Sequence, residues 1–283
     1  MIDLGRLSAV ILGVQDLLCP AICLLCCART HDAGGSFQGT LCTRCAADVV
    51  LIGESACPFC GEPQESASSS APRRGSSSFW VRYDPGERCS RCAGRLWSFS
   101  RCAAGASYEG AVQRLVHGLK FAGDHRAAGP LGHLALLGAR RALDGRHPAL
   151  VTAVPLHPWK RLRRGYNQAA LIARVVAWHL QVPFAPELVR RIRPTPSQGA
   201  SAPAKRWSNL AGAFGASRRL GRWIGAPHPA TTAGTSPHGG QAGDGLHVLL
   251  IDDVVSTMAT MEACACALRD GGVERVTCAA AAT

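Results

Sequence analysis

An α/β chain built on a parallel sheet, preceded by a small cysteine-rich region that binds metal, is the architecture the sequence predicts. Three observations carry it: four C-x-x-C knuckles before Cys102, alternating helix and strand patterns after it, and one apolar run that ends in two acids and a hydroxyl-rich turn, VLLIDDVVSTMAT from Val248 to Thr260. The 283 residues, 47% hydrophobic and 18% charged, suit one large or two smaller globular domains and exclude wholesale disorder.

The first element is an amphipathic helix. Leu4, Leu7, Ile11, Val14 and Leu18 alternate at spacings of three and four, Arg6, Gln15 and Asp16 fall off that stripe, and Pro20 stops it. The segment has no basic n-region and is too short and polar to span a bilayer, so it is expected to pack on the protein or a partner. With no export signal, a reducing cytoplasm is the expected compartment, where paired cysteines call for metal and not disulfides.

The knuckles are Cys23/Cys26, Cys42/Cys45, Cys57/Cys60 and Cys89/Cys92. Each turns two thiolates toward one ion, and two knuckles complete the Cys₄ set that Zn²⁺ prefers, so two structural zinc ions are expected. Sequence order pairs the first two knuckles and the last two; an interleaved pairing satisfies the same spacing. Cys19, Cys27 and Cys102 are left without a role, and Cys264, Cys266 and Cys278 read as small core residues. Two stretches rich in Ser, Gly, Pro and Ala, EPQESASSSAPRRGSSSF and residues 225–245, read as unstructured surface insertions. The expected domains are therefore 1–104, the helix with a double zinc ribbon, and 105–283.

In the second domain GAVQRLVHGLKF, AAGPLGHLALLGARRAL, NQAALIARVVAWHL and TMEACACALRD have helical spacing, while LVTAVPL, LHVLLI and VERVTCAAA read as strands. Strands separated by helices call for a parallel sheet with right-handed crossovers. The formal net charge of +12 is concentrated here, with +11 in 105–283, which points to an anionic partner, either phosphorylated small molecules or nucleic acid. Pro155 ends a strand, and the basic loop after it offers Lys160, Arg161, Arg163 and Arg164 to pyrophosphate or a nucleic-acid backbone, with Trp159 and Tyr166 beside them as stacking or core residues.

In an open α/β sheet ligands gather at the carboxyl ends of strands, and Asp252 and Asp253 leave such an end together. The turn that follows leads into a helix N-terminus, whose free N–H groups favour a phosphate, with Ser256, Thr257 and Thr260 as added donors. The stretch resembles the phosphoribosyl pyrophosphate (PRPP) signature of type I phosphoribosyltransferases. The resemblance implies that Asp252 and Asp253 hold the ribose hydroxyls and that Ser256, Thr257, Met258, Ala259 and Thr260 wrap the 5′-phosphate. HGLKF, VPLHPWKRLRRGYNQA and TPSQGASAPAKRWSNLAGAF, together with the knuckles, resemble the ComF family, competence-associated proteins with a zinc ribbon fused to a phosphoribosyltransferase-like domain.

That resemblance implies a PRPP-binding protein of DNA uptake and natural transformation. It would handle single-stranded DNA at the cytoplasmic face of the inner membrane, beside other uptake proteins. The other reading is an enzyme, a phosphoribosyltransferase that joins a base or another nucleophile to PRPP with Mg²⁺; no segment identifies a base pocket, and no catalytic residue is assigned. A PRPP-sensing transcription regulator would need a helix-turn-helix, and none is evident. Met258 departs from the family, which usually has Gly there to reach φ > 0 and admit the phosphate. The expectation is that the loop relaxes or the phosphate site weakens, and transfer, which needs tighter placement than binding, suffers more.

Overall fold

The structure, a computed structural model, describes residues 21–30, 37, 39–53, 56, 57, 59–62, 89, 90, 92–193, 207, 209, 210, 212–224 and 245–283. The expected opening helix, Cys19 and nearly all of the two expected insertions lie outside the described residues. In chain order the elements are α1 (Thr43–Ala47), β1 (Cys102–Ala106), α2 (Gly110–His117), α3 (Ala128–Leu143), β2 (Leu150–Ala153), α4 (Pro158–Arg164), α5 (Gln168–Leu180), β3 (Val189–Arg191), β4 (Phe214–Ala216), β5 (His247–Val254), α6 (Ala259–Asp270) and β6 (Arg275–Ala282).

Four strands form one sheet in the order β1-β6-β5-β2, every neighbouring pair parallel, and β3 and β4 form a separate antiparallel pair. Alternate residues of β5 serve two cores. Val248 and Leu250 join Met261, Cys264 and Leu268 of α6, whereas Leu249 and Ile251 join Leu131 and Leu134 of α3 and Ile172 and Val176 of α5. Burial on both faces is why this strand reads as an unbroken apolar run. At β1 and β6 the side chains are small because α3 comes very close. A Cβ on Gly105 would lie 2.0 Å from the Leu134 carbonyl oxygen, and one on Gly138 would lie 2.8 Å from that of Ala103.

The cysteine-rich segment covers the outer edge of β1. Ile52 N–H donates to Gly105 O at 3.1 Å, Ser107 N–H to Val50 O at 2.8 Å and Cys102 N–H to Phe59 O at 2.9 Å. Arg141 of α3, largely buried and with its pKa lowered by desolvation, donates to the carbonyls of Ile52, Gly53 and Ala104 and so ties segment, strand and helix together. An edge that would otherwise invite strand addition is thus paired. The expected boundary at 104/105 falls inside β1.

Three further details differ from the sequence reading. The helix predicted over GAVQRLVHGLKF ends at His117 and is followed by a π-helical turn, Gly118–Ala122, closed by Gly123 at φ 69°. The basic loop is the helix α4, whose start is set by Pro158 and by His157 Nδ1 accepting from Trp159 N–H at 3.3 Å, and whose end is set by Gly165 at φ 81°. Cys266 is exposed on the outer face of α6, while Cys264 and Cys278 are buried as expected.

Candidate functional site

The eight knuckle cysteines assemble into two groups in sequence order, Cys23, Cys26, Cys42 and Cys45, and Cys57, Cys60, Cys89 and Cys92, with the sulfur atoms of each group within 4.8 Å of one another. A tetrahedral zinc with Zn–S bonds of about 2.3 Å needs sulfurs about 3.8 Å apart. The Cys26–Cys42 and Cys60–Cys89 separations, 3.5 and 3.4 Å, are close to that. The contact with Cys60 pulls the Cys57 thiol down to about 4 and pushes Cys60 up, so within that pair the charge rests on Cys57.

The two groups pack on opposite faces of the sheet. Cys23 and Cys45 join the core under α2 and α3, with Cys26 exposed. All four cysteines of the second group are buried in the core under α6. The segment after its last knuckle is tied to that helix by Glu262, whose carboxylate accepts from Ser98 N–H at 2.9 and 3.1 Å and from Ser98 Oγ–H at 2.8 Å.

A cavity of about 380 Å³ opens where β2 and β5 end and α6 begins, and Asp252, Asp253, Ser256, Thr257, Met258 and Thr260 all line it. Ala259 does not; its side chain is buried. Asp253 is 4% exposed, accepts from Val254 N–H at 2.9 Å through Oδ1, and pairs through Oδ2 with Lys120 Nζ at 2.8 Å, a contact outside hydrogen-bond angles. Lys120 reaches it from the π-helical turn, a backbone irregularity of the kind that often re-aims side chains at sites. Burial, and then the charge of Asp253, raises the pKa of Asp252 well above the ordinary carboxylate range.

Two further cations face the acids. Lys160 lines the cavity with its pKa lowered, first by desolvation and then by Arg191, Arg164 and Lys120. Arg191 of β3 also lines it, its guanidinium 5.5 Å from the Phe214 ring and its pKa lowered by desolvation. His157, likewise in the wall, has its pKa lowered by desolvation and then by Arg191 and Lys160, which favours the neutral ring. The arrangement suits an anion that also bears hydroxyl groups, with cations for the one and carboxylates for the other.

Met258 does not relax the loop. Its backbone keeps the left-handed conformation, φ 63° and ψ −13°, as the residue before α6, and its side chain is 2% exposed within the α6-side core. The burial of the thioether offsets the strain of the left-handed residue. Met258→Gly is therefore expected to destabilise the protein by about 1–3 kcal/mol, the difference between a buried-side-chain loss of about 2–5 and a strain relief of about 1–2. Denaturant melts of the two proteins check this, and a more stable glycine variant would contradict it.

The remaining predicted residues divide. Arg163 and Arg164 line a second groove beside the cavity, whereas Arg161 points away into an ion pair with Glu187. Asn167 is structural: Nδ2 donates to Val154 O at 2.9 Å, and Oδ1 accepts from Ala169 N–H at 3.2 Å as the cap of α5. Tyr166 donates its hydroxyl to Leu119 O, which anchors the π-helical turn that carries Lys120.

No family model matches the chain. It is 28% identical over 251 residues to the DNA utilization protein YhgH of Salmonella typhimurium, covering 87% of this chain and 89% of that protein. The protein of the same name from Escherichia coli K12 is 27% identical over 248 residues, with the same coverage. Competence protein F of Haemophilus influenzae is 26% identical over 193 residues, 67% of this chain and 76% of its own length. These relatives support the resemblance of the chain to the ComF family. Sequence reasoning missed His157, Arg191 and Phe121. A helix cap, a charge on a three-residue strand and an aromatic after a quoted lysine carry no signal until the chain is folded.

Proposed function

We propose that this chain is a ComF-type protein that binds PRPP in the cavity between β5 and α6 and holds single-stranded DNA along α4, in the service of DNA uptake or use. The observation that carries the reading is the pairing of Asp252 and Asp253 with a phosphate-type loop whose residue 258 keeps φ 63°, in one cavity with Lys120, Lys160 and Arg191. The names of the relatives, DNA utilization protein and competence protein, support the DNA half of it. Zinc in both tetra-cysteine groups, and Mg²⁺ accompanying PRPP, belong to the same proposal. Among the described residues no helix is long and apolar enough to cross a membrane, so action at the inner membrane would proceed through contact with other uptake proteins on its cytoplasmic side.

Calorimetric titration with PRPP and Mg²⁺ tests the first half; absence of binding sinks it. For the second half, Lys160 and the arginines of α4 supply phosphate contacts with no base readout. Replacing Arg161, Arg163 and Arg164 together by Ala is expected to weaken binding of every single-stranded oligonucleotide alike, roughly 10- to 100-fold at low salt, and to flatten the salt dependence. Arg163 and Arg164 should account for most of the loss, since Arg161 is engaged by Glu187. Equal affinity of the triple variant and the parent would count against the DNA claim. The enzyme reading is favoured by one observation, the left-handed residue 258 retained without glycine. Release of pyrophosphate from PRPP in the presence of candidate bases is its assay.

A further inference from the structure

The second groove shares a wall with the PRPP cavity. Lys120, Leu156, Trp159, Lys160 and Gln168 line both. With Trp159 of that wall, 74% exposed, the groove displays Phe121 and Leu162 at 69% and 76% exposure, interleaved with Arg163 and Arg164. The Arg164 guanidinium lies 5.8 Å from the Phe121 ring. Tyr166 is held by its hydroxyl and by an edge contact with His125 at 4.2 Å, which leaves Trp159 and Phe121, the latter also in a T-shaped contact with His117 at 5.4 Å, as the exposed aromatic rings. Open aromatic faces among cations fit a strand whose bases are unstacked, and a duplex, which hides its base faces, does not match them.

We infer that PRPP and single-stranded DNA exclude one another on this chain, the sugar pyrophosphate and the strand competing for Lys120 and Lys160 at the shared wall. This rests on the reading under Proposed function and adds the relation between its two ligands. A pyrophosphate in the cavity draws on Lys120, already paired to Asp253 at 2.8 Å, and on Lys160. A phosphodiester backbone in the groove needs the same two ammonium groups, and a base stacked on Trp159 lies across the cavity rim. With both ligands present, two polyanions sit side by side and share cations enough for one. By linkage the antagonism is equal in both directions.

The experiment is fluorescence anisotropy of a labelled oligothymidylate of about 20 nucleotides, repeated at rising Mg²⁺–PRPP and constant ionic strength, with calorimetry of PRPP against protein and protein–DNA complex. Saturating PRPP is expected to weaken DNA binding about tenfold or more, DNA to weaken PRPP binding by the same factor, and sulfate at matched ionic strength to do neither. Phe121→Ala is expected to weaken DNA several-fold and leave PRPP affinity unchanged. Both ligands binding alone yet independently overturns the exclusion and leaves the functional reading intact. Sulfate displacing DNA as well as PRPP does, or an unaffected Phe121→Ala variant, also overturns it. Failure of either ligand to bind alone overturns the functional reading and the exclusion together.

Discussion

Cys60→Ser is expected to abolish cooperative unfolding of the whole chain, although the substitution lies outside the parallel sheet. The second cysteine group is not a peripheral knuckle: its four thiols are buried with Phe99, Met261, Cys264 and Cys278 in the core under α6. Zinc in such a site contributes about 10–16 kcal/mol to folding, on the order of the 5–15 kcal/mol that stabilises an entire domain. The three cysteines left without the metal would stay buried as thiols, as burial, which pushes Cys92 up to about 11, already favours, and the ion that ties them together would be lost. Cys26→Ser is the contrasting variant, since Cys26 is exposed. The expectation is one zinc equivalent for each tetra-cysteine group in the parent, loss of one in Cys26→Ser with a cooperative melt retained, and no cooperative melt in Cys60→Ser. Metal analysis alongside thermal melts decides it; a parent-like melt from Cys60→Ser would mean that this core closes without metal.

The second large effect is expected from Asp253→Ala. The variant removes an acceptor for a ribose hydroxyl, a charged hydrogen bond worth about 1.5–3 kcal/mol, so PRPP affinity should fall roughly 10- to 100-fold. It also strands Lys120, only 22% exposed at its side chain, beside a cavity without its 2.8 Å partner, so stability should fall too. Lys120→Met in the same background should restore part of the stability and none of the affinity, and calorimetry with denaturant melts separates the two. An Asp253→Ala variant that binds PRPP like the parent would remove the acids from the site.

Asp252 adds a pH dependence. Burial, and then Asp253, raises its pKa, so it stays protonated to higher pH than an ordinary carboxyl. Accepting a ribose hydroxyl favours the carboxylate, hence PRPP affinity should rise as pH climbs through the raised pKa. Fold stability runs the other way: an acid with a raised pKa in the folded state favours folding while neutral, and that contribution fades as pH rises through the same value.

Much of this was legible beforehand because the relevant signals are local. An unbroken apolar run such as VLLI, short and followed by a turn, reads as a strand covered on both faces, and the structure places its alternate residues in two cores. The four knuckles announced two metal groups; their spacing left an interleaved pairing open, and the folded chain brings them together in sequence order. What stayed hidden depends on contacts between distant residues. The first strand, CAAGA, has none of the bulky β-branched side chains that mark strands, because α3 needs room above Gly105. The seven residues of α4 bury nothing, so no apolar stripe revealed a helix; its caps did the work. The thioether of Met258 found a place in the core, which a one-dimensional comparison with glycine has no means to anticipate.

The position of β6 has a consequence for synthesis. This strand follows every other strand in the chain, yet it lies between β1 and β5, hydrogen-bonded to both. While the ribosome is still translating residues upstream of Arg275, β1 and β5 have no common strand neighbour, and no backbone ladder joins the two halves of the sheet. Completion must come as an insertion at the centre, not as growth at an edge. A nascent chain stalled shortly before Arg275 would present two open strand flanks, the state in which chaperone capture is most needed.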